Sequence, residues 1–357
     1  MEIQNHIATM LGLLPQPAFL VEKGILTHVN EAAAGYFLQV GQPVGPMVLH
    51  GREEYAEFSD GCLYLTLNLE GQCIGASVSR LEDAHLFLLE QASEMPQLQA
   101  LALAAMELRE PLSGMLTLAD QMLPTLSGEN TALEQQAAKM NRRLYQMLRI
   151  VSNMSDAAQY TKSSQKLSHH VEICSFLKEI LEKAAVLAEQ TGLTLAYDVP
   201  AEPIFTLASE EKLERAVYNL LSNAMKFAPN GSTVQARLIR KEKRLCFSVT
   251  NGRTDNELPG NLFARYLRQP GLEDPRNGLG LGMVLVRSVA ALHGGAVLID
   301  QAEDSIRVTL SMQVRQSKDT QVRSPALQID YVGERDHGLI ELSDVLPAAV
   351  YNADQIN

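Results

Sequence analysis

The sequence predicts a multidomain α+β protein built from a small antiparallel-sheet unit, a long helical hairpin and a two-layer α/β sandwich. Three patterns support this prediction: short strand-like runs near the N-terminus, two uninterrupted heptad patterns in the middle, and helix and strand patterns that alternate afterwards. With 357 residues, the chain is long enough for two or three domains with cores of their own. We expect these domains at residues 1–92, 93–165 and 166–315, followed by a linker and C-terminal tail at 316–357.

Composition limits the partners of this chain. The formal net charge is -12 and the pI is about 5.2, so nucleic acids and anionic membranes would repel it. The four cysteines are widely spaced and form no CxxC pair, which favours free thiols of a reducing compartment over a zinc site. The N-terminus lacks the pattern of a signal peptide, and no apolar run reaches the ~18 residues that a membrane span needs. We therefore expect a soluble, cytoplasmic protein that binds neither nucleic acid nor membrane.

The N-terminal unit reads as a small antiparallel sheet. PAFLVEKGILTHVN predicts two strands around a turn at Lys23 and Gly24. GCLYLTLNL alternates between two faces, as a strand does, and EAAAGYFL predicts a short helix between these strand runs.

The middle of the chain carries two helical seams with heptad spacing. The first comprises Leu98, Leu101, Ala105, Leu108, Leu112, Met115, Ala119 and Met122. After the polar break TLSGEN, the second comprises Leu133, Ala137, Met140, Leu144, Met147, Val151, Met154 and Ala158. A hairpin cannot bury both seams by itself, so we expect a homodimer that forms a four-helix bundle. Packing against another domain of the same chain is the alternative.

The following part of the chain predicts a sandwich with a mixed sheet. SFLKEILEKAAVLAEQ and SEEKLERAVYNLLSNAMKFAP are helical patterns, and Ser209 is the expected N-cap of the second. LTLAYDV, two alternating strands linked by KEKR, and a closing hairpin supply the sheet. His169 and His170 are adjacent, which favours a solvated surface pair over metal ligands. The end of the tail, LIELSDVLPAAVY, either docks on the body or binds a partner.

Two features of this sandwich could hold a nucleotide. Gly278, Gly280 and Gly282 precede a helix, where glycines allow phosphates to approach the backbone and the helix N-terminus offers amide donors. Asn219, Asn223 and Lys226 share one helical face, and two amides with a lysine suit Mg²⁺ and phosphates. Considered alone, the helix with these residues also fits an ordinary capped surface helix.

The order of the motifs resembles the sensor histidine kinase family. NLLSNAMKFAP, LFARYLRQP and GLGLGMVLVRSVAALHGG look like its ATP-binding domain, which belongs to a wider family with gyrase, Hsp90 and MutL. ELREPLSGM resembles the phosphoacceptor box HELRTPL of the HisKA-type dimerisation domain, and MLRIVSNMSDAAQYTKSSQKL resembles the end of that domain's second helix. The N-terminal unit, with Asn30 after its second strand, looks like a PAS sensor domain.

This resemblance implies a set of nucleotide contacts. Asn223 would hold Mg²⁺, Asn219 would support the phosphates, Lys226 would contact the phosphates and Phe227 the adenine of ATP. The three glycines would cradle the phosphates under a mobile lid at 262–277, from which Arg265 could reach the phosphate tail.

The chain departs from the family in its acceptor box. Met106 stands where the family has its phosphorylatable histidine, directly before Glu107, and no histidine lies elsewhere in the two hairpin helices. A thioether cannot accept a phosphoryl group. Glu110 replaces the threonine or asparagine that positions water for dephosphorylation. The heptad count places Met106 one step off the seam, on the outward side.

The adenine box departs as well. Asn251 stands at the aspartate of DxGxG, and Arg253 and Asp255 replace the glycines. An asparagine amide still offers a donor and an acceptor to the adenine edge, so we expect weakened ATP binding.

These observations leave three functions open. The first is a dimeric, ATP-binding scaffold of two-component signalling that engages a response regulator or a partner kinase but lacks a phosphoacceptor. The second is an active sensor kinase that phosphorylates a partner or an unusual residue, where Glu107 could act as base. The third is a gyrase- or Hsp90-like ATPase, which the ELREPL hairpin disfavours.

Overall fold

The computed structural model describes residues 11–90, 94–126, 131–160, 167, 169–253, 281–315 and 335–352. Its strands are β1 (Ala18–Glu22), β2 (Ile25–Val29), β3 (Val48–His50), β4 (Cys62–Leu69), β5 (Gln72–Leu81), β6 (Ala84–Leu89), β7 (His169–Glu172), β8 (Thr194–Asp198), β9 (Phe205–Ala208), β10 (Thr233–Lys241), β11 (Arg244–Gly252), β12 (Val297–Gln301) and β13 (Ser305–Gln313). Its α-helices are α1 (Arg52–Glu57), α2 (Glu94–Leu126), α3 (Thr131–Tyr160), α4 (Ile173–Glu189), α5 (Glu210–Phe227), α6 (Leu281–Leu292) and α7 (His337–Glu341). Short 3-10 helices lie at Glu31–Tyr36, Gly45–Met47 and Ala348–Tyr351.

The N-terminal unit is an antiparallel sheet in the order β2-β1-β6-β5-β4, with β3 beside β4. The predicted turn between β1 and β2 is confirmed, because Lys23 and Gly24 both have positive φ. Asn30 is buried at the end of this hairpin opposite to the turn, and its side chain accepts hydrogen bonds from the backbone amides of Ala18 and Ala33. This side chain therefore ties the start of β1 to the following 3-10 helix, which supports the short helical stretch predicted there.

The sheet of the N-terminal unit continues into the sheet of the sandwich. Strand β4 pairs antiparallel with β12, so that Cys62, Leu63 and Tyr64 face Ile299, Leu298 and Val297. A charged contact lies close to this junction, where the Arg287 guanidinium stands 4.5 Å from the Tyr64 ring centroid and 3.3 Å from the Glu90 carboxylate. The expected first and third domains thus share one continuous sheet, which the domain boundaries alone do not reveal.

The sandwich has the mixed sheet that the sequence predicts. Its strands follow the order β12-β13-β11-β10-β8, and β8 runs parallel to β10 while the other neighbours are antiparallel. Helices α4, α5 and α6 bury their apolar sides in the main core with this sheet. A second sheet, β7 with β9, was not predicted. His169 and His170 lie in β7 and are partly exposed, which agrees with the surface position predicted for this pair.

The hairpin buries only part of its predicted seams. Alternate seam positions are buried, namely Ala105, Leu112 and Ala119 on α2 and Ala137, Leu144 and Val151 on α3. Most intervening positions are between 42% and 53% exposed, namely Leu108, Met115 and Met122 on α2 and Leu133, Met140 and Met147 on α3. The exceptions are Leu101, which is partly buried, and Met154, which is 8% exposed. One apolar strip along the hairpin therefore remains available in a single chain.

Residues 335–352, which we call the C-terminal segment, dock on the body. Tyr351 is fully buried, meets the ring of Tyr145 edge-on at 5.0 Å and donates its hydroxyl to the Leu339 carbonyl at 2.7 Å. The segment contacts α3, α4 and α5. Of the two possibilities for the tail, docking on the body is therefore the one observed.

Candidate functional site

Helix α5 carries most of the candidate site. It begins after Ser209, the predicted N-cap, but the Ser209 side chain makes no capping bond. Instead, the Ser209 backbone amide donates to Nε2 of His293 at 3.2 Å, while Nδ1 of His293 lies 2.7 Å from the Val289 carbonyl. Burial lowers the pKa of His293 to about 4, so the ring is neutral near pH 7 and accepts this hydrogen bond. A histidine after α6 thus orients the first turn of α5.

Asn219 lies at the contact between three helices. Its side chain is 1% exposed, its amide nitrogen donates to the Arg215 carbonyl at 2.8 Å, and its oxygen accepts from Arg149 of α3 at 3.4 Å. A Cβ added at Gly282 of α6 would overlap the same oxygen, so glycine is needed there for helix packing. The structure thus brings Asn219 and Gly282 together, with a residue of the hairpin against them.

The rest of the α5 face is more accessible. Asn223, Lys226 and Phe227 are half-buried, and the Lys226 ammonium lies 6.0 Å from the Phe227 ring centroid. An amide oxygen suits Mg²⁺, and an ammonium suits a polyphosphate. The residue types on this face therefore fit a Mg-nucleotide, with Asn223 and Lys226 as the accessible donors.

Asn251 lies near the end of β11, opposite Ile306 of β13. It is 6% exposed, and its amide nitrogen donates to the Gly252 carbonyl at 2.7 Å. With its donor engaged there, its acceptor oxygen is the end suited to the amino group of adenine. Arg253 continues from this strand, and its backbone amide donates to the Asp304 carbonyl.

Several predicted site residues lie outside the described part of the chain. These are Arg265, Gly278 and Gly280, together with Asp255 and the predicted lid at 262–277. Within the described part, no cluster of three or more His, Cys, Asp and Glu side chains could hold a metal ion. The helices described there include none that is long and apolar enough to cross a membrane.

Met106 lies on the outward side of α2, in agreement with the heptad count. Its side chain is 64% exposed, whereas the preceding Ala105 is fully buried. Glu107 is also exposed. A histidine at position 106 would therefore be open to solvent, whereas the methionine present offers only a thioether.

A buried ion-pair network adjoins Asn219, and sequence reasoning missed it. Arg149 of α3 and Arg215 of α5 both approach the Glu341 carboxylate, with distances of 3.4 and 3.2 Å from their Nε atoms. Arg215 also pairs with Asp156, and Arg149 lies 2.7 Å from Asp344. The residues are far apart in sequence, so no local pattern announces the network.

Comparison with known proteins gives a match over the region that contains most of these residues. Residues 208–321 match the family model described as histidine kinase-, DNA gyrase B- and HSP90-like ATPase. Residues 208–321 are thus similar to the ATPase domains of this family. The match begins just before α5 and extends beyond β13, so it includes Asn219, Asn223, Asn251 and Gly282.

The curated relatives are sensor kinases. The chain is 26% identical over 203 residues to the sensor protein KdpD of Clostridium acetobutylicum, which covers 54% of this chain and 22% of that protein. It is 28% identical over 232 residues to the adaptive-response sensory kinase SasA of Synechocystis sp., covering 60% of each. The chain thus spans less than two thirds of the length of these relatives. These homologues support a relationship to histidine kinases and to two-component signalling.

Among solved structures, full-length ShkA in complex with AMPPNP aligns with a TM-score of 0.48 and 21% identity. The alignment covers 61% of this chain and 47% of that one.

Proposed function

We propose that this chain is a sensor histidine kinase homologue that binds Mg-ATP and signals as a homodimeric scaffold without autophosphorylation on the usual histidine. The observation that carries the proposal is the pairing of an exposed Met106 at the acceptor position with an ATPase-family domain. The domain offers Asn223 and Lys226 to a nucleotide, whereas the hairpin offers no nucleophile at position 106.

Nucleotide binding is proposed for the face of α5 and the N-terminus of α6. Asn223 would hold Mg²⁺, Lys226 the phosphates, and Phe227 and Asn251 the adenine. The Gly278–Gly280–Gly282 loop and Arg265 complete the proposed site. The bound nucleotide would supply a γ-phosphoryl group that can be transferred. The chain's own residues would bind and orient the nucleotide, but position 106 provides no acceptor for the γ-phosphoryl group.

The homodimer is supported by the exposed half of the heptad seams. Leucine and methionine side chains that are 42% to 53% exposed recur along both hairpin helices at seven-residue intervals. A second copy of the same strip would complete a four-helix bundle and bury these side chains. Packing on another domain of the same chain, which is the alternative, explains only the buried seam positions and leaves the exposed ones without a role.

A PAS-like sensor role is proposed for the N-terminal unit. Its five main strands follow the order 2-1-5-4-3 when they are numbered along the chain without β3. That order fits the PAS resemblance, and the pairing of β4 with β12 gives the unit a direct contact with the ATPase domain. We propose the cytoplasm as its location, and a response regulator or a partner kinase as the receiver of the signal.

The decisive experiment combines calorimetry with γ-labelled ATP. Wild-type protein should bind Mg-ATP weakly, Asn223→Ala should remove the Mg²⁺ dependence of binding, and wild type should remain unlabelled. Met106→His should gain acid-labile label if the ATP site is competent. Leu103→His is the matched control, because Leu103 is 66% exposed about one turn earlier on the same helix but is not at the acceptor position.

Three outcomes would contradict the proposal. Strong labelling of wild-type protein, or of a partner mixed with it, would favour the active kinase. Folded wild-type protein that binds no nucleotide at millimolar Mg-ATP would leave only a structural domain. Nucleotide hydrolysis without any labelling would favour the gyrase- or Hsp90-like ATPase.

A further inference from the structure

The C-terminal segment occupies the crevice between the hairpin and the ATPase domain. From the hairpin side, α3 donates to its backbone carbonyls. Arg142 donates to Ser343 at 3.2 Å and to Asp344 at 3.0 Å, and Gln146 donates to Ser343 at 3.1 Å. Asn141 donates to the Tyr351 carbonyl at 3.1 Å. Backbone carbonyls of the segment are thus recognised by side chains of a single helix.

The ATPase domain holds the other side of the segment. His337 lies 2.8 Å from the Glu214 carboxylate of α5. A Cβ added at Gly338 would stand 3.0 Å from Leu187 and 3.1 Å from the Tyr218 hydroxyl, so the chain passes tightly over α4 and α5. The segment therefore bridges two parts of the protein.

The centre of this bridge is Glu341, which is 4% exposed. Its two carboxylate oxygens approach Arg149 of the hairpin and Arg215 of the ATPase domain separately. Asp344 adds a second carboxylate to Arg149 at 2.7 Å. Without these carboxylates, two buried guanidinium groups would face each other with Asp156 as the remaining acidic partner in the network.

The segment thereby holds Arg149 against Asn219. The Asn219 oxygen accepts from Arg149, and α3 packs against α6, the helix that carries Gly282. Helix α3 reaches α5 through side chains, since Arg215 of α5 also donates to Asn153. Asn219 is 1% exposed, and its oxygen lies between Arg149 and Gly282. A phosphate that approaches this oxygen from the hairpin side would have to displace Arg149, which the docked segment holds in place.

We propose that the C-terminal segment is an internal clasp that competes with Mg-nucleotide for the end of the site at Asn219. The inference rests on the nucleotide site proposed above. If the clasp is closed in most molecules, the apparent nucleotide affinity equals the affinity of the open form multiplied by the fraction of molecules that are open. By linkage, nucleotide binding opens the clasp to the same extent.

Two full-length variants weaken the clasp, one at its centre and one near its C-terminal end. Glu341→Gln removes the charge shared by Arg149 and Arg215, and Tyr351→Ala removes an anchor that does not touch the arginines. Each should bind Mg-ADP at least tenfold more tightly than wild type in calorimetry. Glu182→Gln is the matched control for the charge change, since Glu182 pairs only with the exposed Lys178 at 3.8 Å in the same helix, and its affinity should equal that of wild type.

Hydrogen exchange of the segment gives a second readout, which can be measured in wild-type protein as well as in the variants. The amides of 339–352 should exchange faster in both variants, and faster in wild-type protein when Mg-ADP is added. Faster exchange in the variants with unchanged Mg-ADP affinity would overturn the clasp and leave the nucleotide site intact. Unchanged exchange in wild-type protein saturated with Mg-ADP would also overturn it. If no chain, variant or wild type, binds Mg-ADP, the nucleotide site and the clasp are both wrong.

Discussion

Gly61 allows the N-terminal unit to join the sheet of the sandwich, and Gly61→Ala should separate the two sheets. Gly61 has φ of +87° and directly precedes β4, and a Cβ added there would overlap the Ile299 carbonyl oxygen of β12. That oxygen belongs to backbone, so it cannot rotate away as a side chain would. The alanine variant must shift β4 away from β12 over the residues that pair.

The magnitude follows from two terms. An alanine at positive φ costs about 1–2 kcal/mol, both at position 61 and at position 71, which serves as the control. The lost ladder adds about 0.5–1.5 kcal/mol for each hydrogen bond between β4 and β12. Gly71→Ala is the matched control, because Gly71 has φ of +85° at the other end of β4 and nothing within 4 Å of its added Cβ. We therefore expect Gly61→Ala to be less stable than Gly71→Ala by about 1–3 kcal/mol.

Urea unfolding of both variants measures this difference, and hydrogen exchange locates it. The amides of 62–64 and 297–299 should lose protection in Gly61→Ala and keep it in Gly71→Ala. Equal free energies of unfolding, with equal protection at both strands, would show that the two sheets do not depend on this pairing.

Two further predictions test the dimer and the pH dependence of stability. Met147→Asp should dissociate the proposed dimer in light scattering and leave a folded monomer, because Met147 is 42% exposed in one chain. Leu144→Asp should instead unfold the protein, since Leu144 is 7% exposed. A dimer that survives Met147→Asp would place the interface elsewhere. His293 has its pKa lowered to about 4 in the folded protein, so the unfolded chain binds a proton between pH 6.5 and 4 that the folded chain does not. His293 therefore does not reduce the free energy of unfolding above pH 6.5, but reduces it by up to roughly 3 kcal/mol as the pH falls towards 4. His293→Gln should flatten this part of the stability profile in thermal melts, and an unchanged slope would assign the pH dependence to other groups.

The sequence by itself determined the local elements of this protein. The period of 3.5 in the middle of the chain predicted α2 and α3, and alternation predicted β4, β10 and β11, because each pattern reflects which side of one element is buried. The strand-like runs on either side of the turn at Lys23 and Gly24 predicted β1 and β2. The i, i+4, i+7 spacing of Asn219, Asn223 and Lys226 placed them on one face of α5 for the same reason. The outward position of Met106 also followed from counting along a single helix.

Only the tertiary structure decided what these elements contact. Periodicity showed that the seams were apolar, but not that alternate members such as Ala105 and Leu108 would divide between a buried and an exposed row. The pairing of β4 with β12 joins edges more than two hundred residues apart, and backbone ladders of this kind carry no side-chain signature. Strands β7 and β9 are four residues each, too short for alternation to stand out. Glu341 meets Arg149 and Arg215 only because three distant segments pack together, and the burial that makes their charges matter exists only in the folded chain.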